Sequence, residues 1–221
     1  MKLKILILTA ITVFTGCVST RTYSTYVREK LETQLKAGAI QHENILFDLT
    51  HLREQAGLVE SEKVNSFFIP AILYWGWENT IECSISPSIA GEMFKSNFLD
   101  SADSLGLLQN LNGQNLEITV EALPTRFVYT NQGSTMIFII AYTVSTLEAI
   151  YPEEQNLVIT YKLSANGQKT KAGRITALNT AMPIKNIWKS TKKFTWMYID
   201  RYDHTMKTLT HDIVRQLQEQ L

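Results

Sequence analysis

Apolar residues recur along this chain in two rhythms, every second position through much of the middle and every third or fourth towards the end. The first rhythm belongs to strands and the second to helices. Leu116, Ile118 and Val120 alternate with Glu117, Thr119 and Glu121, and Leu157, Ile159, Tyr161 and Leu163 alternate with Val158, Thr160 and Lys162. Each set predicts a strand with one buried face. Asn166-Gly167 offers the turn chemistry of a tight hairpin, with Arg174 to Leu178 as the returning strand. Ile81, Cys83 and Ile85 alternate with Glu82 and Ser84, which places Cys83 on a buried face. Ile45 to Leu49 is a further candidate strand. Glu60 to Asn65 reads as a polar connection into the apolar run Phe67 to Trp75, where Pro70 implies an edge or a bulge because it cannot donate to a ladder. Tyr74-Trp75-Gly76-Trp77 reads as an aromatic-rich loop. After a break at Pro124, Phe127-Val128-Tyr129 leads to an expected turn at Asn131-Gln132-Gly133. Met136 to Val144, apolar on both faces, reads as a central strand covered on both sides.

Three segments carry the helical rhythm. Tyr23, Val27, Leu31 and Leu35 predict a short one-sided helix. Ser86-Pro87 opens a second, with Ser as cap candidate and Pro at the first helical position; Ile89, Met93, Phe94, Phe98 and Leu105 form its stripe and Gly106 stops it. The longest runs from about Thr191 to Leu221, with Phe194, Tyr198, Tyr202, Met206, Leu209, Ile213 and Leu217 along one seam. This order predicts an α+β fold: an antiparallel sheet of meander and hairpin, a central helix, and a long C-terminal amphipathic helix packed on one face. Residues 41–221 form the single domain, and residues 17–40 a tether that becomes a helix.

The N-terminus has a different character. Lys2 and Lys4 precede an apolar run from Ile5 to Phe14, and Thr15-Gly16-Cys17 follows as a small-residue cleavage site. Residues 1–16 thus read as a secretory signal, too short for a spanning helix of about 20 apolar residues. Phe14-Thr15-Gly16-Cys17 resembles the lipobox of bacterial lipoprotein precursors, with Phe where Leu is usual. The resemblance implies cleavage before Cys17, diacylglycerol in thioether linkage to its sulfur and acylation (palmitate) of the new amino terminus. Val18 in second place of the mature chain, instead of Asp, implies the outer membrane, facing the periplasm.

Lys and Arg number 21 and Asp and Glu 21 over 221 residues, so the chain is neutral overall. Neither nucleic acid nor an anionic membrane surface is suggested as a partner by charge, since both need a basic patch or run. With 45% hydrophobic residues the chain can bury a substantial core. If Cys17 is lipidated, Cys83 has no disulfide partner within the chain, and it reads as a buried structural thiol.

Chemistry-bearing patterns are sparse. Asp200 and His204 lie four apart on the final helix with His211 two turns on, but no third ligand stands at diagnostic spacing, so no metal is expected. His42 and His51 join no pattern. Asp100-x-x-Asp103 suits a solvated helix face. Gly-x-Ser-x-Gly, Gly-x-Gly-x-x-Gly and phosphate-loop patterns do not occur. The expectation is therefore a non-enzymatic, cofactor-free envelope protein that binds another envelope component, loosely similar in element order to accessory lipoproteins of envelope assembly and transport. An alternative is a carrier or sensor whose apolar ligand or lipid lies between sheet and C-terminal helix, ringed by Tyr74, Trp75, Trp77, Trp188 and Trp196. A third possibility rests the same aromatic rim on the membrane beside the anchor.

Overall fold

A computed structural model describes residues 18–35, 42–50, 52, 57–70, 72–138, 142–165 and 167–221. Cys17, Asn166, His51 and the signal segment lie outside these residues. The elements in chain order are α1 Thr20–Gln34, β1 Ile45–Asp48, β2 Val59–Pro70, β3 Tyr74–Ile85, α2 Pro87–Ser104, α3 Leu107–Asn110, β4 Asn115–Ala122, β5 Arg126–Ile137, β6 Tyr142–Pro152, β7 Leu157–Ala165, β8 Gln168–Ala177, β9 Ile184–Asn186 and α4 Thr191–Gln220.

The fold is α+β with a long C-terminal helix, as the order of elements predicts, and its largely antiparallel strands form two sheets. One has the order β1-β4-β7-β8 and the other β2-β3-β5-β6-β9. All pairings are antiparallel except β1 with β4. The chain passes between the sheets after β1, β3, β4, β6 and β8, the passage after β4 running through Leu123 to Thr125. Alternating residues bury as their pattern demands: Leu116, Ile118 and Val120 on β4, and Leu157, Ile159 and Tyr161 on β7, are at most 2% exposed. The β7–β8 turn contains Gly167 at φ 77°, a backbone conformation that costs a glycine little.

Five local expectations are corrected. Glu60 to Asn65 is the first half of β2, and Tyr74 to Trp77 begins β3 instead of forming a loop. Asn131 to Gly133 lies mid-strand in β5, where each residue pairs on both sides, so no turn forms there. Met136 to Val144 is not one central strand: Met136 and Ile137 end β5, Tyr142 to Val144 begin β6, and the two strands pair antiparallel with Ile137 opposite Tyr142, while Ile139 to Ala141 lie outside the described residues. Ser86 precedes α2 as expected, but its side chain accepts no capping bond from a backbone N–H; its hydroxyl pairs with the Ser88 hydroxyl of the first turn at 2.7 Å instead. Pro70 does sit on an edge strand, as its missing N–H requires.

α4 is the spine that joins the sheets. At its N-terminal half Tyr198 packs on Phe127 of β5, ring centroids 4.6 Å apart, and at its end Gln220 accepts a hydrogen bond from Tyr161 of β7 at 2.9 Å. Between them Tyr202 donates to the Pro124 carbonyl at 2.9 Å, pinning the crossover between sheets. α2 brings Phe94 and Phe98 edge-on to Phe47 near β1's end. α1 buries Tyr23, Val27 and Leu31 against the second sheet and α4. Its Ser19 cap accepts from the Thr22 N–H at 3.2 Å, so the helix starts within two residues of Val18.

Candidate functional site

Two hairpins, β2–β3 and β5–β6, lie side by side because β3 pairs with β5 over eleven residues from Tyr74–Met136 to Ser84–Arg126. Their lower halves belong to the core. Ile81, Cys83, Phe127, Tyr129 and Ile150 are essentially inaccessible. Past the row Ser66–Asn79–Asn131–Glu148 the same four strands continue as an arm whose side chains are mostly exposed or half-buried.

Beyond Glu78 in its first row, the arm carries no charged residue. No Asp, Glu, Lys or Arg occurs between Lys63 and Glu78 or between Arg126 and Glu148. Register assigns the faces, since residues directly opposite share one. Phe68, Trp77, Gly133 and Thr146 form one row, and Pro70, Trp75, Thr135 and Val144 the next row of the same face, continuous with Ile81 and Cys83 below. The opposite face carries Ile69, Gly76, Ser134 and Ser145, beside Phe67 and Met136. Ile72 at the first tip is 93% exposed and Tyr142 at the second 73%. Half of the large apolar side chains exposed among the described residues stand on this arm. A concentration of that size in a folded chain marks a surface that meets something.

A polar collar secures the arm's base. Trp77 Nε1 donates to Asn131 Oδ1 at 3.2 Å, and Asn131 Nδ2 donates to the Tyr129 hydroxyl at 3.3 Å. Glu148 Oε1 accepts from Tyr129 at 2.9 Å and from Thr191 Oγ1 at 2.6 Å, while its Oε2 accepts from Asn186 Nδ2. One carboxylate thereby ties β5, β9 and the start of α4 to β6. Burial, and secondarily the Glu148 charge, push the Tyr129 hydroxyl well above the ordinary phenol range, so it stays a donor at neutral pH. Asn79 Nδ2 reaches the other way and donates to the Val18 carbonyl at 3.3 Å. The peptide neighbour of Cys17 is therefore fastened to the collar.

The five aromatics singled out by the sequence are not gathered into one ring. Tyr74, Trp75 and Trp77 are on the arm. Trp196 turns to α1, donating from Nε1 to the Tyr26 carbonyl at 3.0 Å with Lys192 Nζ 4.8 Å above its ring. Trp188, in the loop before α4, is 94% exposed. Between the second sheet and α4, the space is occupied by Tyr23, Phe127, Tyr129 and Tyr198, whose ring centroids lie 4.6 to 6.4 Å apart. A shallow depression remains beside it, bordered by Pro124, Arg126, Tyr198 and Tyr202.

Asp200 serves the α1–α4 junction: Lys30 Nζ is 2.8 Å away and Gln34 Nε2 2.9 Å from its carboxylate. Among the described residues no group of three His, Cys, Asp or Glu is placed to hold a metal ion. Cys83 accepts from Ser61 Oγ at 3.3 Å, and burial pushes its thiol up to about 12, the opposite of what a nucleophile needs. No helix of the described residues is long and apolar enough to cross a membrane.

The arm escapes a reading by periodicity because its apolar residues stand on both faces; the usable signal was the absence of charge over two stretches that pair. Its packing makes a specific prediction. A Cβ on Gly133 would lie 2.3 Å from Trp77 Cζ2 and 2.6 Å from the Ser145 carbonyl oxygen. Gly133→Ala should therefore dislodge Trp77 and strain the β5–β6 ladder, destabilising the protein by about 1–3 kcal/mol in urea titrations. An unchanged midpoint would mean that Trp77 moves off Gly133 without cost.

Comparison with known protein families, with curated proteins and with solved structures found no match for this chain.

Proposed function

We propose that this chain is a non-enzymatic lipoprotein of the bacterial cell envelope, anchored through Cys17 to the periplasmic side of the outer membrane, that acts by binding another envelope component. The observation that carries this reading is the position of the apolar arm beside the start of the mature chain: Asn79 of the collar holds the carbonyl of Val18, the residue after the lipobox cysteine. An anchor and an unpartnered apolar surface at one end of the molecule make that end the working one. The filled space between second sheet and α4 directs binding to the outside of the protein, and the buried, high-pKa Cys83 thiol favours a structural role for it.

Intact mass of the native protein beside its Cys17→Ser variant tests the reading. The expected result is a mature N-terminus at Cys17 with added acyl mass, and an unprocessed, unacylated chain in the variant. Cleavage at another residue without lipid would make it a secreted protein without an anchor.

A further inference from the structure

We propose that the envelope component met by the arm is the bilayer itself: the two hairpin tips, with Ile72, Leu73 and Phe138, enter the leaflet that receives the acyl chains of Cys17. This deepens the anchored reading above and shares its premise of a membrane beside Cys17. The arm's composition is ordered by distance from the collar. Trp77 and Trp75, with Phe68 and Ile69 beside them, come first, where the amphipathic indole suits the headgroup boundary, and Met136, Leu73, Ile72 and Phe138 lie further out. Tyr74, in the row of Met136, and Tyr142 at the end of the second hairpin are the polar-tipped rings among them.

Length agrees with that order. From Asn79, which holds Val18, to Tyr74 at the head of β3 is five residues, or about 17 Å at roughly 3.4 Å per residue. Half of a hydrocarbon core about 30 Å thick is about 15 Å. With the anchor at collar level the arm therefore reaches through about one leaflet, with Glu148 at the collar and Glu78 one row beyond it, before the charge-free stretch begins.

Insertion also sets a requirement on the edges. β2 has no neighbour on its outer side, and β9 covers β6 only at Glu148 to Ile150. Backbone groups in hydrocarbon need partners. β6 of one copy beside β2 of the next supplies them and keeps the antiparallel alternation unbroken, so the inserted form is an edge-joined assembly of copies.

The test uses the full chain carrying Cys17→Ser, so that no acyl chain contributes, with vesicles of phosphatidylethanolamine and phosphatidylglycerol. We expect the protein to float with the vesicles, its tryptophan fluorescence to be quenched by brominated acyl chains, and chemical crosslinking to give multimers on the vesicles. Adding Ile72→Asp and Leu73→Asp should reduce the floated fraction by at least about tenfold. The circular dichroism of that variant should not change, since both side chains are exposed in the folded protein. A Cys17→Ser chain that stays in the aqueous phase, or one that floats equally well with both aspartates, overturns the proposal. Multimers formed in solution by a chain that does not float would also overturn it, naming a second copy as the arm's partner. Acyl mass on Cys17 in the native protein is read separately, so loss of insertion and loss of the anchor are told apart.

Discussion

Raising the pH above about 9 is expected to unfold this protein steeply, with Cys83 the first group to drive it. Burial lifts the Cys83 thiol from an ordinary 9.0 to about 12, and the hydroxyls of Tyr23, Tyr129, Tyr198 and Tyr202 are each pushed well above the usual 10.0, burial being the largest cause in every case. A proton held more tightly in the folded chain than in the unfolded one costs the fold stability wherever the unfolded chain can lose it. Below pH 9 both states are protonated and the full stability is present. Between 9 and about 12 the unfolded chain sheds the Cys83 proton while the folded chain keeps it, and stability falls with each step. A shift of this size is worth on the order of 4 kcal/mol at its limit, and the tyrosines add to it from pH 10 upward. Domains of this size have a total stability of about 5–15 kcal/mol, so the midpoint in urea should drop to zero before the last tyrosine titrates. Urea titrations at constant ionic strength between pH 7.5 and 11.5 measure it. Cys83→Ala should delay the onset towards pH 10, and a midpoint that stays level to pH 11 would show that water reaches these groups in the native state.

Phe127→Ala should cost about 3–5 kcal/mol, among the largest effects of any single truncation, because this ring is where three elements meet. It is 1% exposed, its centroid lies 4.6 Å from that of Tyr198 on α4 and 6.4 Å from that of Tyr23 on α1. The ion pairs that also join α1 to α4, Lys30 with Asp200 at 2.8 Å and Lys192 with Glu29 at 2.7 Å, stand substantially in water. Such pairs are worth at most about 1 kcal/mol each. The rings therefore decide the junction, and their loss should release α1 before the sheets open. Hydrogen exchange would show it as faster exchange in α1 than in β7, with the Lys30→Ala variant nearly unchanged. A loss below about 1 kcal/mol for Phe127→Ala would mean that the cluster collapses onto the gap.

The legible parts of this fold were those with one wet face and one dry one. The seam of α4 and the alternations of β4 and β7 were readable because water on one side leaves a polar residue at every alternate or opposite position. The distal halves of β2, β3, β5 and β6 broke that rule. Phe67 and Phe68 are adjacent and both exposed, so they point to opposite faces with neither in a core, and no periodicity survives there. The same failure turned Met136 to Val144 into an imagined central strand: apolar on both faces is the signature of full burial, and equally of a surface meant for something other than water. Pairing between hairpins distant in sequence, such as Thr80 with Thr130, depends on topology that local pattern does not carry. Of the proposed site residues, Trp75 and Trp77 were picked out for being aromatic. The collar of Asn79, Asn131, Glu148 and Asn186 went unnoticed, as polar residues spread over a hundred positions have no shared local signal.

α1 has one more consequence. Because Ser19 already caps it and Tyr23, Val27 and Leu31 are sunk in the core, no slack chain separates Val18 from the body. A lipid on Cys17 would hold the domain flush, like a bolt through a flange, and not on a leash. The longest element, α4, measures about 45 Å at 1.5 Å per residue over its 30 residues. That length, and not the contour of a linker, sets how far into the surrounding compartment such a protein can reach.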